Sequence, residues 1–147
     1  MMGTLTEKQI DDVLRKEMIG RIAYVADGWP RIVPVTFVYN RERYVFSHSA
    51  EGHKMEWLRK NPRVCFEVEQ IGSMSDWRTV VARGMFEEVT EDKDEKMMDF
   101  IARLNGLGPP GARTSDRHEE VHRREGIDRS VLFRIHLLEM SGRFELA

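Results

Sequence analysis

Apolar positions recur along this chain at two spacings, helical near the N-terminus and alternating through most of the middle. Ile10, Val13 and Leu14 form a helical stripe, and Thr6 with Gln9 three residues on makes a capping box, so a helix is predicted that ends near Gly20. Arg21 to Ala26 then reads as a strand, closed by the turn signal Asp27-Gly28-Trp29-Pro30. A second strand is predicted from Arg31 to Tyr39. Pro34 within it has no N–H to donate, so this strand should have an unpaired side, a bulge or a ligand alongside. After the polar turn Asn40 to Arg43, a third strand begins at Tyr44-Val45-Phe46.

The pattern changes at His48-Ser49-Ala50-Glu51-Gly52, which is small and polar. Lys54, Met55, Trp57 and Leu58 suit a short helix from about His53 to Lys60, stopped by Asn61-Pro62. A fourth strand follows from Arg63 to Glu69 with Val64, Phe66 and Val68 on one face, then a loop over Ile71 to Asp76 and a long fifth strand from Trp77 to Val89. Thr90 caps a predicted helix carrying Met97, Ile101 and Leu104. Asn105 to Ser115 holds Gly108-Pro109-Pro110-Gly111 and should be irregular, and Arg117 to Glu125 is charged almost throughout. Val131 to Leu138 is the sixth strand, running into Glu139 to Arg143. Short connections favour antiparallel pairing, and strands of this number and length tend to close on themselves. A parallel doubly wound sheet would need a helix between nearly every pair of strands. The predicted fold is mainly β (α+β), a six-stranded antiparallel barrel with short flanking helices.

At 147 residues the chain fits one domain, 1–147, and its 41% apolar content is enough for a core. A net charge of −2 with both signs mixed argues against a nucleic-acid or anionic-membrane binder. The one cysteine, Cys65, rules out an intrachain disulfide and is expected to be a small buried hydrophobe in the run Val64-Cys65-Phe66. Met1 to Gln9 lacks the regions of a signal peptide and no apolar run has the length of a membrane span, so a soluble cytoplasmic protein is expected.

The chemistry concentrates at Phe46 to Lys54. Ser47 and Ser49 alternate, so their side chains can share a face; a helix start just beyond offers unsatisfied N–H groups and a favourable dipole. Gly52 permits close approach, Lys54 brings a full charge, and His53 can donate or become cationic. These residues suit an anion site, and equally a solvated helix start. Arg31, opening the strand expected beside the third one, can reach the same anion. His118-Glu119-Glu120-Val121-His122 matches the H-E-x-x-H zinc-protease pattern, with His136 the one candidate third ligand. Its charged flanks leave no apolar face to bury, so a solvated helix is the reading adopted and no metal is assigned. No Ser-His-Asp or paired-carboxylate constellation is visible, and no catalytic residue is named.

The run Pro30 to Tyr39, Tyr44 to Ala50, Gly52-His53-Lys54, Leu58, Asn61 to Val68 and Val80 to Gly84 resembles the pyridoxamine 5'-phosphate oxidase-like flavoproteins, in particular their nitroimidazole-reductase-like branch. The resemblance covers roughly residues 10 to 105 and the terminal Val131 to Arg143 strand. It implies a six-stranded split β-barrel that dimerises, with flavin mononucleotide (FMN) in the grooves between subunits. By position, Val33, Pro34, Val35, Thr36 and Phe37 would run along the flavin ring. Ser47, His48, Ser49, His53 and Lys54 would hold the phosphate and ribityl chain, with Thr79 and Val80 nearby and Trp77 and Arg78 plausible neighbours across the dimer. The pyridoxamine oxidases proper have a basic pair ahead of the lysine where this chain has Gly52-His53, and their C-terminal substrate-binding arginines find no match here. Vitamin B6 oxidation is therefore not expected. A flavin-dependent oxidoreductase acting on nitroaromatic or quinone-like acceptors is; the alternatives are a non-catalytic flavin-binding or sensor protein, or a split barrel using deazaflavin or haem.

Overall fold

Thr6 starts the first helix as its sequence requires. Its hydroxyl accepts from the Gln9 N–H while the Gln9 side chain accepts from the Thr6 N–H, so both ends of the capping box are closed. That helix, α1 (Glu7–Lys16), buries Ile10, Val13 and Leu14 and stops short of Gly20, because Ile19 already pairs with Thr36 as the first residue of a strand. The computed structural model describes residues 1–40, 42–89 and 130–147. The helix expected from Thr90, the irregular stretch after Asn105 and the H-E-x-x-H match lie outside the described residues.

The remaining elements are β1 (Met2–Thr4), β2 (Ile19–Ala26), β3 (Trp29–Thr36), β4 (Val38–Asn40), β5 (Tyr44–Ala50), α2 (His53–Lys60), β6 (Arg63–Ser73), β7 (Asp76–Glu88) and β8 (Ser130–Leu146). They form one antiparallel sheet in the order β3-β2-β6-β7-β8-β5-β4, with β1 added to β8. The expected antiparallel split barrel is the fold. Two strands exceed the six expected: β1 is new, and the run from Arg31 to Tyr39 breaks at Phe37 into β3 and β4. The expected loop at Ile71 to Asp76 contracts because β6 pairs as far as Ser73, opposite Asp76. The last strand runs on to Leu146 along the whole of β7.

The β2–β3 connection is a two-residue hairpin, with Asp27 (φ 53°) and Gly28 (φ 77°) both left-handed between the paired Ala26 and Trp29. This is the Asp-Gly hairpin geometry, which glycine adopts without steric cost. On β6 the alternation is strict: Val64, Phe66 and Val68 are buried, joined from β7 by Val80, Ala82 and Phe86. Phe66 meets Phe37 edge to face at 5.0 Å, which ties the break between β3 and β4 to the core. The same alternation turns Cys65 outward, so it is exposed rather than buried as expected.

Closure of the barrel explains the split. β3 and β4 are the two ends of the sheet path, yet one residue, Phe37, separates them in the chain. The sheet must therefore curl until its ends meet at Phe37. β4 pairs with β5 (Val38 opposite Phe46), and one step on the Ser47 hydroxyl donates to the Thr36 carbonyl at 2.5 Å. Beyond that bond β3 has ladder partners only in β2, among the described residues, and the barrel wall opens between β3 and the end of β5.

Candidate functional site

One side of the opening is β3. Pro30 and Pro34 stand opposite Val25 and Arg21. Having no N–H, both must occupy positions of the ladder whose polar groups point away from β2, and Ile32 between them shares that direction. The free edge of β3 is thus rich in carbonyl acceptors and poor in donors, which blocks further strand addition there. This is the unpaired side that Pro34 predicted. Trp29 and Ile32 are 73% and 67% exposed, whereas Val35 is buried and Val33 packs against the core. Arg31, Pro34 and Thr36 are exposed and Phe37 is buried.

The other side is the junction of β5 and α2. Ser47 is buried, and its proton is spent on the Thr36 carbonyl, so it pins the corner where the wall splits. His48 and Ser49, one and two residues further, are half-buried along the separating part of β5. Glu51 and Gly52 then lead into α2, which lays Met55 and Leu58 in the core and packs towards β2. Trp57 packs partly buried against the core, with the Lys60 ammonium 4.9 Å from its ring centre.

The start of α2 has no side-chain cap. Its first N–H groups accordingly lack the partner that Thr6 gives α1, and a helix start in that state attracts anions. Gly52 lies at φ 165°, extended backbone, and a Cβ placed there would touch nothing within 4 Å among the described residues. The fold leaves room at this point and does not need glycine to do so. Lys54, in the first turn, is half-buried and has no ion-pair or hydrogen-bond partner among the described residues. Burial pushes its ammonium pKa below the ordinary 10.5. His53 is turned outward, its side chain 96% exposed and its Nδ1 3.5 Å from Glu56.

Of the residues expected to gather round a phosphate, Ser49, Gly52, His53 and Lys54 lie along one continuous turn, with Ser47 holding the corner behind them. Arg31 sits at the far end of β3, paired with Tyr24 of β2; the strand meets β5 at the Ser47–Thr36 corner and does not pair with it as a ladder. On β7, Thr79 is half-buried on the outer face opposite Glu69, while Val80 points into the core. Trp77 donates its indole N–H to Glu145 at 3.0 Å. His136 stacks on Tyr44 with ring centres 4.7 Å apart.

Two features escaped the sequence. Arg59, in the last turn of α2, holds Glu51 through Nη1 at 2.5 Å and Nη2 at 2.9 Å, and holds Glu88 through Nε at 2.9 Å and Nη2 at 3.0 Å. Only the winding of α2 brings these groups together, and no short motif encodes it. The second is an open groove of about 520 Å³ on the outer face of the sheet, lined by Val25, Cys65, Arg83, Met85 and Leu138 among others.

A split antiparallel barrel, with an uncapped helix start beside the split, defines the class. The profile of the pyridoxamine 5'-phosphate oxidase family matches residues 6–144. The chain belongs to that family. An uncharacterized protein of Rhizobium meliloti (strain 1021), RA0666, is 28% identical over 85 residues, 58% of this chain and 56% of that protein, so the match spans about half the length of that relative. The structure of an FAD-binding protein of Mesorhizobium loti superposes with a TM-score of 0.70 at 27% identity, covering 98% of both chains. The fold is also that of a candidate 5-nitroimidazole antibiotic resistance protein of Bacteroides thetaiotaomicron (TM-score 0.70, 18% identity, 98% of this chain and 89% of that one).

Proposed function

We propose that this protein binds FMN, with its phosphate at the β5–α2 junction, and uses it as an oxidoreductase of small molecules. The observation that carries this reading is Lys54: a half-buried cation without a counter-ion among the described residues, in the first turn of an uncapped helix, beside the opening of the barrel. A buried, unpaired ammonium is costly, and a phosphate dianion would offset that cost with a charge-assisted hydrogen bond. The open space at Gly52 is where the anion would meet the helix N–H groups, with Ser49 and His53 alongside. The FAD-binding protein of Mesorhizobium loti supports a flavin, and the phosphate proposed at this turn is the monophosphate of FMN.

The acceptor-rich free edge of β3 and the half-buried Val33 would flank the ring, the edge orienting it and the apolar side chains excluding water. When bound, the flavin supplies the hydride and electron chemistry. The chain itself contributes position and electrostatics. Nitroaromatic or quinone-like acceptors are the proposed substrate class.

A homodimer with the flavin at the subunit interface is part of the proposal. Ile19, Val25, Ile32, Val81 and Leu138 are exposed on the outer face of the sheet, and an apolar surface of this kind marks an interaction site. A cytoplasmic setting accords with the single free cysteine.

The test begins with colour. Purified protein should absorb as a flavoprotein, and the chromophore released on denaturation should have the mass of FMN. A colourless protein that fails to take up FMN would overturn the proposal, and a haem or deazaflavin spectrum would replace the cofactor. Reduction of bound FMN by a nicotinamide donor, followed by reoxidation with a nitroaromatic or quinone, separates an enzyme from a flavin carrier.

A further inference from the structure

We infer that Arg59 is a positioning residue for the phosphate subsite, acting through Glu51. This rests on the proposed phosphate at the β5–α2 junction. Glu51 stands between β5 and the first residue of α2, three positions before Lys54. Left alone, its carboxylate would put a negative charge beside a site that has to accept a dianion. Arg59 takes both carboxylate oxygens of Glu51, one on each Nη, and keeps Nε and a share of Nη2 for Glu88 at the end of β7. One planar guanidinium therefore joins the junction before α2, the last turn of α2 and the barrel wall.

Two effects follow from that geometry. The bidentate bond offsets the charge of Glu51, whose carboxylate also accepts from the Gly52 N–H at the helix start, so Lys54 weighs more in the local potential. The link to Glu88 fixes where α2 begins relative to the sheet, which spares an incoming phosphate the ordering of the loop. The pairing is reflected in the acidity of both partners: the bond to Arg59 holds the Glu51 carboxyl below its ordinary 4.5, and the bond to Glu51 raises Arg59. The cluster is exposed, so its stabilising value for the fold is small and salt-dependent. Its consequence lies in the site.

The distinguishing probe is the phosphate itself. Apoprotein is titrated with FMN and with riboflavin, which has the same ring and ribityl chain and lacks the phosphate. Wild type should prefer FMN. Arg59→Ala should weaken FMN by about tenfold, because an un-neutralised carboxylate then faces the dianion, and leave riboflavin within about twofold. Adding Glu51→Gln to Arg59→Ala should restore a large part of the FMN affinity, because the exposed carboxylate is gone; Glu51→Gln alone should bind FMN at least as well as wild type. The inference is overturned if Arg59→Ala weakens both ligands equally, if it leaves FMN unchanged, or if Glu51→Gln gives no recovery. Wild type that binds FMN and riboflavin alike removes the phosphate from the junction altogether, and the role of Arg59 falls with it.

Discussion

The two helices of this protein begin in opposite ways. At α1, Thr6 and Gln9 satisfy each other's backbone donors, and an acidic Glu7 sits in the first turn, so the positive end of the helix is closed by the chain itself. At α2, Gly52 offers no side chain, the first-turn acid Glu56 lies 3.5 Å from His53, a half-buried Lys54 adds positive charge, and the acidic group just upstream, Glu51, is paired with Arg59. The first helix start is finished by folding. The second keeps donors and charge that no side chain among the described residues satisfies, and it lies where the barrel wall opens.

The comparison breaks most sharply if α2 is given a cap of its own. Gly52→Asp places a carboxylate in the open space at the helix start, where the extended backbone accepts any residue. FMN affinity should fall about 100-fold or more, since like charges brought together cost several kcal/mol, while the empty protein becomes a few tenths of a kcal/mol more stable. FMN titration and thermal unfolding of the same variant check both signs. The converse change at α1, Thr6→Ala, should lower stability by about 1 kcal/mol and leave FMN affinity unchanged, as denaturant unfolding beside a flavin titration would show.

A smaller effect lies in pH. Burial holds the Lys54 pKa below 10.5 in the empty protein, so between the folded and unfolded values the unfolded chain binds more protons. The stability contribution of Lys54 therefore rises with pH across a window that ends near 10.5. FMN, which favours the charged lysine, should show the reverse, its affinity falling as pH rises through the same window. Unfolding and binding measured against pH for wild type and Lys54→Ala isolate this group, and equal profiles would remove it.

Much of this was legible because it is local. The Thr6–Gln9 box, the Asp27-Gly28 hairpin, the span His53–Lys60 and its stop at Asn61-Pro62 each depend on a few neighbouring residues. What depends on distant pairing was not. β1 exists because Met2 to Thr4 lie against Arg143 to Glu145, and α1 ends early because Ile19 has a partner in Thr36. Cys65 was misplaced by reading Val64-Cys65-Phe66 as one apolar run; strand alternation, visible in the same residues, turns it outward. Within the candidate site, the sequence located the turn from Ser47 to Lys54. That Ser47 would face inward to Thr36, and Arg59 reach back to Glu51, followed only from the closed barrel.

The most direct test of the account is the affinity of apoprotein for FMN and riboflavin in wild type and Lys54→Ala. The account predicts that FMN binds about 1.5–3 kcal/mol more weakly to the variant, the loss of one charge-assisted contact, while riboflavin is unaffected and the empty variant is no less stable than wild type. Unchanged FMN affinity, or an equal loss for both ligands, would contradict it.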